Sequence, residues 1–224
     1  MQGTLYNTGA VVLGSMIGLL FHSRLPERFA KIFYQAIGLL ILSLGLGMVV
    51  KLSDFLLLSF SIIGGAFLGE LVDISSLVNR TSEKLKSKIK SQNDNFSEGF
   101  VTGILVMCVG TLAVLGPLEE GLGKGTALLQ TKSVIDFVTS ILLASSLGVG
   151  VLFSALPLLV YQGSITLFAG SLQGFFSDTM IANLSVMGGV LLLGVGLGVL
   201  KIKKINVINM LPSLVMVAIL SFWF

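Results

Sequence analysis

Apolar runs of membrane-spanning length follow one another along almost the whole chain, separated only by short loops. They lie at residues 2–22, 30–50, 54–72, 98–117, 133–153, 156–175, 180–200 and 205–224. The hydrocarbon core of a bilayer takes about 20 residues of helix. A backbone surrounded by lipid must pair its own N–H and C=O groups, which a single segment achieves only as a helix. The runs therefore predict an all-α polytopic membrane protein of about eight transmembrane helices. Composition agrees: 11% of the residues are charged, against about 25% in a soluble domain.

No basic residue precedes the first run and no small-residue cleavage pattern follows it, so it is expected to stay as a span and not to act as a signal peptide. Orientation follows from the fourteen basic residues. With the N-terminus outside, the inner loops hold Arg24, Arg28, Lys31, Arg80, Lys84, Lys86, Lys88, Lys90, Lys201, Lys203 and Lys204, and the outer loops hold Lys51, Lys124 and Lys132. Cationic loops are retained on the cytoplasmic side, so both termini are expected outside. The net charge of +3 then reflects topology and anionic headgroups, and nothing in the chain resembles a nucleic-acid motif.

The expected organisation is one integral membrane domain over 1–224, with a first repeat at 1–74, a basic inner loop at 75–97, central spans at 98–155 and a second repeat at 156–224. Within the inner loop, Leu77, Leu85 and Ile89 recur among lysines at near-helical spacing, as in a basic interfacial helix. The repeat is read from paired matches. Residues 36–48, AIGLLILSLGLGM, line up with 187–199, MGGVLLLGVGLGV; Leu5-Tyr6-Asn7 resembles Val160-Tyr161-Gln162; and Gly14-Ser-Met-Ile-Gly18 resembles Gly170-Ser-Leu-Gln-Gly174. The matched spans cross the membrane in opposite senses, so spans 1–3 and 6–8 form an inverted repeat. Secondary transporters and some channels use this plan, with the binding site near the midplane.

The polar residues inside apolar runs supply the candidate site. Tyr161, Gln162, Gly163, Ser164 and Thr166 crowd span six beside Pro157, where a helix break is expected around Tyr161–Ser164. Tyr6 and Asn7 hold the matching place in span one. Lys132 and Asp136 stand four apart on span five, with Thr139 and Ser140 continuing the polar face toward the outer-loop residues Glu119 and Glu120. Intramembrane ionisable groups usually face a partner, water or a route across the membrane. Glu70, after Gly64-Gly65-Ala-Phe-Leu-Gly69, is a weaker candidate ion ligand. Interhelical hydrogen bonding accounts for each of these residues taken singly.

Other chemistries find little support. His22 is the single histidine and Cys108 the single cysteine, so an internal disulfide and a thiolate metal cluster are excluded. No zinc-protease helix or nucleophile elbow occurs, and the chain is expected not to be an enzyme and to need no cofactor or metal. Gly121-Leu-Gly-Lys-Gly-Thr126 lacks the first glycine of a phosphate loop and has Gly125 where Ser or Thr must follow the lysine. Glycines four apart, at 14/18, 65/69, 170/174 and 194/198, are expected to let helices approach closely, and also allow a homodimer.

Several motifs are shared with one family: Glu98-Gly-Phe-Val-Thr, Thr131-Lys-Ser-Val-Ile-Asp136, Ala144-Ser-Ser-Leu-Gly-Val-Gly-Val-Leu-Phe-Ser154, Tyr161-Gln-Gly-Ser-Ile-Thr-Leu167 and Asn209-Met-Leu-Pro-Ser213. Over essentially its full length the chain resembles the bacterial YqgA-like membrane proteins, grouped as domain of unknown function 554. The resemblance implies a multi-pass protein of the bacterial inner membrane and carries over no substrate or catalytic residue. The expected function is a transporter or channel for a small ion or polar solute, with partners limited to lipid, that solute and a second copy of the chain. The alternative is a non-transporting structural or regulatory partner subunit.

Overall fold

A computed structural model of the chain describes residues 1–22, 27–77, 80, 96–108, 111–172, 174 and 176–223. The expected interfacial helix of the inner loop falls largely outside the described residues. Eleven α-helices order the remainder: α1 (Gln2–His22), α2 (Glu27–Val49), α3 (Phe55–Val72), α4 (Phe96–Cys108), α5 (Thr111–Gly121), α6 (Ala127–Leu147), α7 (Gly150–Phe153), α8 (Ala155–Leu167), α9 (Ala169–Leu172), α10 (Asp178–Val199) and α11 (Pro212–Leu220). A 3-10 turn, Val207–Met210, precedes α11. Among the described residues there is no strand, and five helices are long and apolar enough to cross a membrane, or six if a bent pair is one span.

The chain divides into two compact units. The first comprises Met1–Phe33 and Lys90–Phe176. Here α1 lies along α6 in parallel, because small residues remove the side chains that would hold them apart. A methyl group on Gly14 would collide with Phe137 O and Ser140 Oγ, and one on Gly18 with Ile141 O and Ala144 Cβ. α8 runs antiparallel to α1, with Thr4 beside Thr166 and Asn7 beside Gln162. Gly99 and Gly103 bring α4 against Leu147 and Ser154 in the same way.

The second unit comprises Tyr34–Ile89 and Ser177–Phe224. α2 and α10 cross antiparallel on glycines: Gly45 faces Gly189, and Gly196 faces Leu42 and the carbonyl of Gly38. Gly65 and Gly69 of α3 lie against the backbone of Ser213 and Asn209, leaving no room for a Cβ. Asp54 caps the start of α3 by accepting from Leu57 N at 2.9 Å. Asp73 ends it at φ 52°, where the Ser76 hydroxyl and N–H hold its carboxyl below the usual value.

Several expectations change. The expected break at Tyr161–Ser164 is absent: α8 is continuous from Ala155 to Leu167. Pro157 falls in the first turn of that helix, where the missing N–H costs no intrahelical bond. The interruption comes earlier, at Gly148, whose φ of 77° lies where a Cβ is penalised. It moves the expected 133–153 and 156–175 spans to 127–147 and 150–167. The 98–117 run becomes two helices, Phe96–Cys108 and Leu112–Gly121, whose axes diverge by 60°. The apolar parts of the 30–50 and 205–224 runs are the shorter segments Gln35–Val49 and Val207–Leu220.

Candidate functional site

Three helices of the first unit bury a face that carries most of their polar residues among apolar ones, and leave other large apolar residues exposed. On α1, Thr4, Asn7, Val11, Gly14, Ser15 and Gly18 are buried, whereas Leu5, Tyr6, Leu13, Met16, Ile17 and Leu20 are exposed. On α6, Leu129, Lys132, Asp136, Ser140 and Leu143 are buried and Val134, Ile135 and Val138 are not. On α8, Leu158, Gln162, Ile165 and Thr166 face inward. Each buried set recurs at three or four residues, the helical period. This is the arrangement expected where the outer solvent is hydrocarbon and helix association relies on close backbone approach and interhelical hydrogen bonds.

Within these buried faces lies an ion pair. Lys132 Nζ is 2.5 Å from Asp136 Oδ2, one helical turn away. The two residues are only 6% and 4% exposed. Asn7 Nδ2 of α1 donates to the same carboxylate oxygen at 3.0 Å and to Gln162 Oε1 of α8 at 3.0 Å. Asn7 and Gln162 are wholly buried. Charge, amide and amide thus tie α6, α1 and α8 together. A buried charge is tolerated only when paired and hydrogen-bonded, and this one is both. Even so, Asn7 Oδ1 and Gln162 Nε2 are buried without a hydrogen-bond partner.

A second cluster stands one turn away on α1 and α8. Glu120, at the end of α5, accepts from Gly3 N at 2.6 Å, Thr4 N at 3.1 Å and Thr4 Oγ1 at 2.7 Å. The Met1 ammonium is 3.0 Å from its Oε1. Thr4 Oγ1 also meets Thr166 Oγ1 at 3.1 Å. Glu120 therefore does for α1 what a capping side chain does locally, accepting from N–H groups that have no partner inside the helix. Its negative charge also suits the positive end of the helix dipole.

Of the residues expected at the site, Asn7, Gln162, Lys132 and Asp136 come together and Thr166 joins the neighbouring Glu120 cluster. Tyr6 is 57% exposed, one position from Asn7 and hence about 100° round the helix, on the outer face. Ser164 is exposed too, its hydroxyl donating at 2.6 Å to Val160 O of its own helix. Tyr161 packs beside the apolar Leu118, Ile165 and Ala169. A Cβ on Gly163 would meet the end of the Met1 side chain. Glu70 lies in the second unit, exposed, where Asn209 Nδ2 donates to it at 2.6 Å and Asn209 Oδ1 accepts from Ser75 N at 2.7 Å. Sequence reasoning passed over Thr4 and placed Glu120 only in an outer loop. Thr4 and Asn7 share a face by their spacing, but Glu120 meets that face only through tertiary packing.

The comparisons follow the same full-length pattern. The family described as "Protein of unknown function (DUF554)" matches residues 2–222. The chain is 34% identical over 226 residues to the "Uncharacterized membrane protein YdfK" of Bacillus subtilis (strain 168), covering 99% of this chain and 96% of that protein. It is 32% identical over 224 residues to the "Uncharacterized protein YqgA" of Escherichia coli (strain K12), covering 98% and 95%. No solved structure matches. With the family pattern spanning the chain end to end and both relatives aligned over nearly their whole length, this all-helical protein belongs to the DUF554 family.

Proposed function

We propose that the chain moves a small ion or polar solute across the bacterial inner membrane, and that Lys132, Asp136, Asn7 and Gln162 form the site. The observation carrying this reading is the Lys132–Asp136 pair, buried between apolar helices and held by Asn7 from α1. Ionisable groups in membrane helices are costly and usually mark a solute or ion route. A purely structural brace also uses such pairs, but two helices are already locked by glycine contacts at Gly14 and Gly18. Two further polar atoms, Asn7 Oδ1 and Gln162 Nε2, are left without partners.

The proposed architecture has eight crossings, both termini outside, and an inverted repeat of 1–74 against 156–224. Four helix pairs support the alternation of direction: α1 and α6 run parallel, while α1 and α8, α2 and α10, and α3 and α11 run antiparallel. Two sets of contacts support the repeat. Asn7 and Gln162, which hold matching positions in the two copies, bond to each other. Gly38 and Gly45 match Gly189 and Gly196, and they meet crosswise, Gly45 with Gly189 and Gly38 with Gly196. Crosswise meeting of equivalent residues is what a two-fold relation between two segments produces.

Flux into proteoliposomes tests the function. With a panel of inorganic ions, amino acids and other polar solutes, the native chain is expected to carry at least one, and Asp136→Asn to abolish that flux. Absence of flux for the whole panel in a correctly folded preparation refutes transport.

A further inference from the structure

The polarity of the Asn7–Gln162 pair is set by Asp136. Asn7 meets the carboxylate with its amide nitrogen, since the opposite orientation would place two oxygens face to face. The same nitrogen donates to Gln162 Oε1, so Gln162 is oriented too: reversed, it would oppose one NH₂ group with another. The chain of hydrogen bonds therefore ends on an unused acceptor, Asn7 Oδ1, and an unused donor, Gln162 Nε2. Each is bonded to the same carbon as an atom of the 3.0 Å Asn7–Gln162 hydrogen bond, so the two orphans belong to adjoining amide groups, within the length of one small molecule. Beside them, Lys132 has donors beyond the one engaged by Asp136. The hydrogen bonds from Lys132 and Asn7 both fall on Asp136 Oδ2, leaving Oδ1 to accept.

This site offers both signs of charge and sums to zero. A ligand with a net charge would leave that charge uncompensated in a low-dielectric interior, which is costly. A ligand with no charge would gain hydrogen bonds but no charge pairing from the two ions. A zwitterion meets both conditions, with its carboxylate accepting from Lys132 Nζ and Gln162 Nε2, and its ammonium donating to Asp136 Oδ1 and Asn7 Oδ1. We infer that Asn7, Lys132, Asp136 and Gln162 bind a small zwitterion of the amino-acid class. This inference rests on the reading of the same four residues as the solute site, and it adds the chemistry of the solute.

The test uses the purified full chain in detergent, with glycine and L-alanine as probes and acetate, methylammonium and acetamide as their one-ended or uncharged counterparts. A ligand that binds only the folded protein raises its melting temperature. Glycine or L-alanine is expected to raise it saturably, and the counterparts to leave it unchanged. Gln162→Leu keeps the Lys132–Asp136 pair and its Asn7 partner, so it is expected to stay folded yet bind radiolabelled glycine or L-alanine about tenfold more weakly in equilibrium dialysis. The inference is overturned if neither zwitterion shifts the melting temperature, if acetate or methylammonium alone shifts it equally, or if Gln162→Leu binds as the native chain does. Flux of another solute without zwitterion binding overturns the inference and leaves transport standing. Zwitterion binding without any flux does the reverse.

Discussion

Asp136 is the residue on which the candidate site turns, because it receives both Lys132 and Asn7. Removing one partner of a buried pair leaves an uncompensated charge and typically costs about 3–5 kcal/mol, whereas replacing both by apolar groups is often neutral. Lys132→Met is therefore expected to lower the thermal stability of the chain in detergent strongly, and Lys132→Met/Asp136→Leu to recover much of the loss. Equal melting temperatures for the single and double variants would contradict the pairing. Tyr6 and Ser164 provide the contrast. Both stand on outward faces, so Tyr6→Ala and Ser164→Ala are each expected to change stability by no more than about 0.5 kcal/mol, measured the same way. The Lys132–Asp136 pair was legible from its spacing of four. The division of Tyr6 from Asn7 was equally present in the helical period, which turns adjacent residues about 100° apart and so onto different faces.

At the level of the element, the glycines decide which helices touch, and they are not alike. Gly69 has the carbonyl of Asn209 against it, and Gly189 has Met48 and the Gly45 carbonyl. Among the described residues, nothing lies within 4 Å of a Cβ added at Gly198. Gly69→Ala is expected to destabilise by about 1–3 kcal/mol, since the backbone must move. Gly198→Ala is expected to be neutral, or to stabilise by up to about 1 kcal/mol through helix propensity. Thermal unfolding of the two variants side by side checks this, and comparable losses would contradict the close packing of α3 on Asn209. The four-residue glycine spacing predicted tight contacts at 14/18 and 65/69, where they occur, at 194/198, where only Gly194 meets a neighbour, Val207, and at 170/174, where no atom of the described residues comes within 4 Å of either added Cβ. Spacing states only that two glycines share a face; whether another helix meets that face is settled elsewhere in the chain.

For the whole molecule, the testable property is orientation. In a Cys108→Ser background, Lys203→Cys is expected to react with a membrane-impermeant thiol reagent only after the inner face is exposed, and Lys124→Cys to react in intact cells. The opposite pattern would invert the proposed topology. The sequence by itself determined the solvent: so few charges and so many apolar runs fold only where hydrocarbon replaces water, and only as helices. It also determined the residues whose chemistry is out of place there, since a lysine and an aspartate within apolar helices are conspicuous in any fold. Tertiary structure alone decided that Asn7 reaches Asp136 and Gln162, that Glu120 caps α1, and that Gly148 rather than Tyr161–Ser164 interrupts the chain. The Asn7 and Glu120 contacts join residues more than a hundred positions apart, and such pairings follow from which helix faces are thin enough to approach, a property of two surfaces that neither segment carries alone.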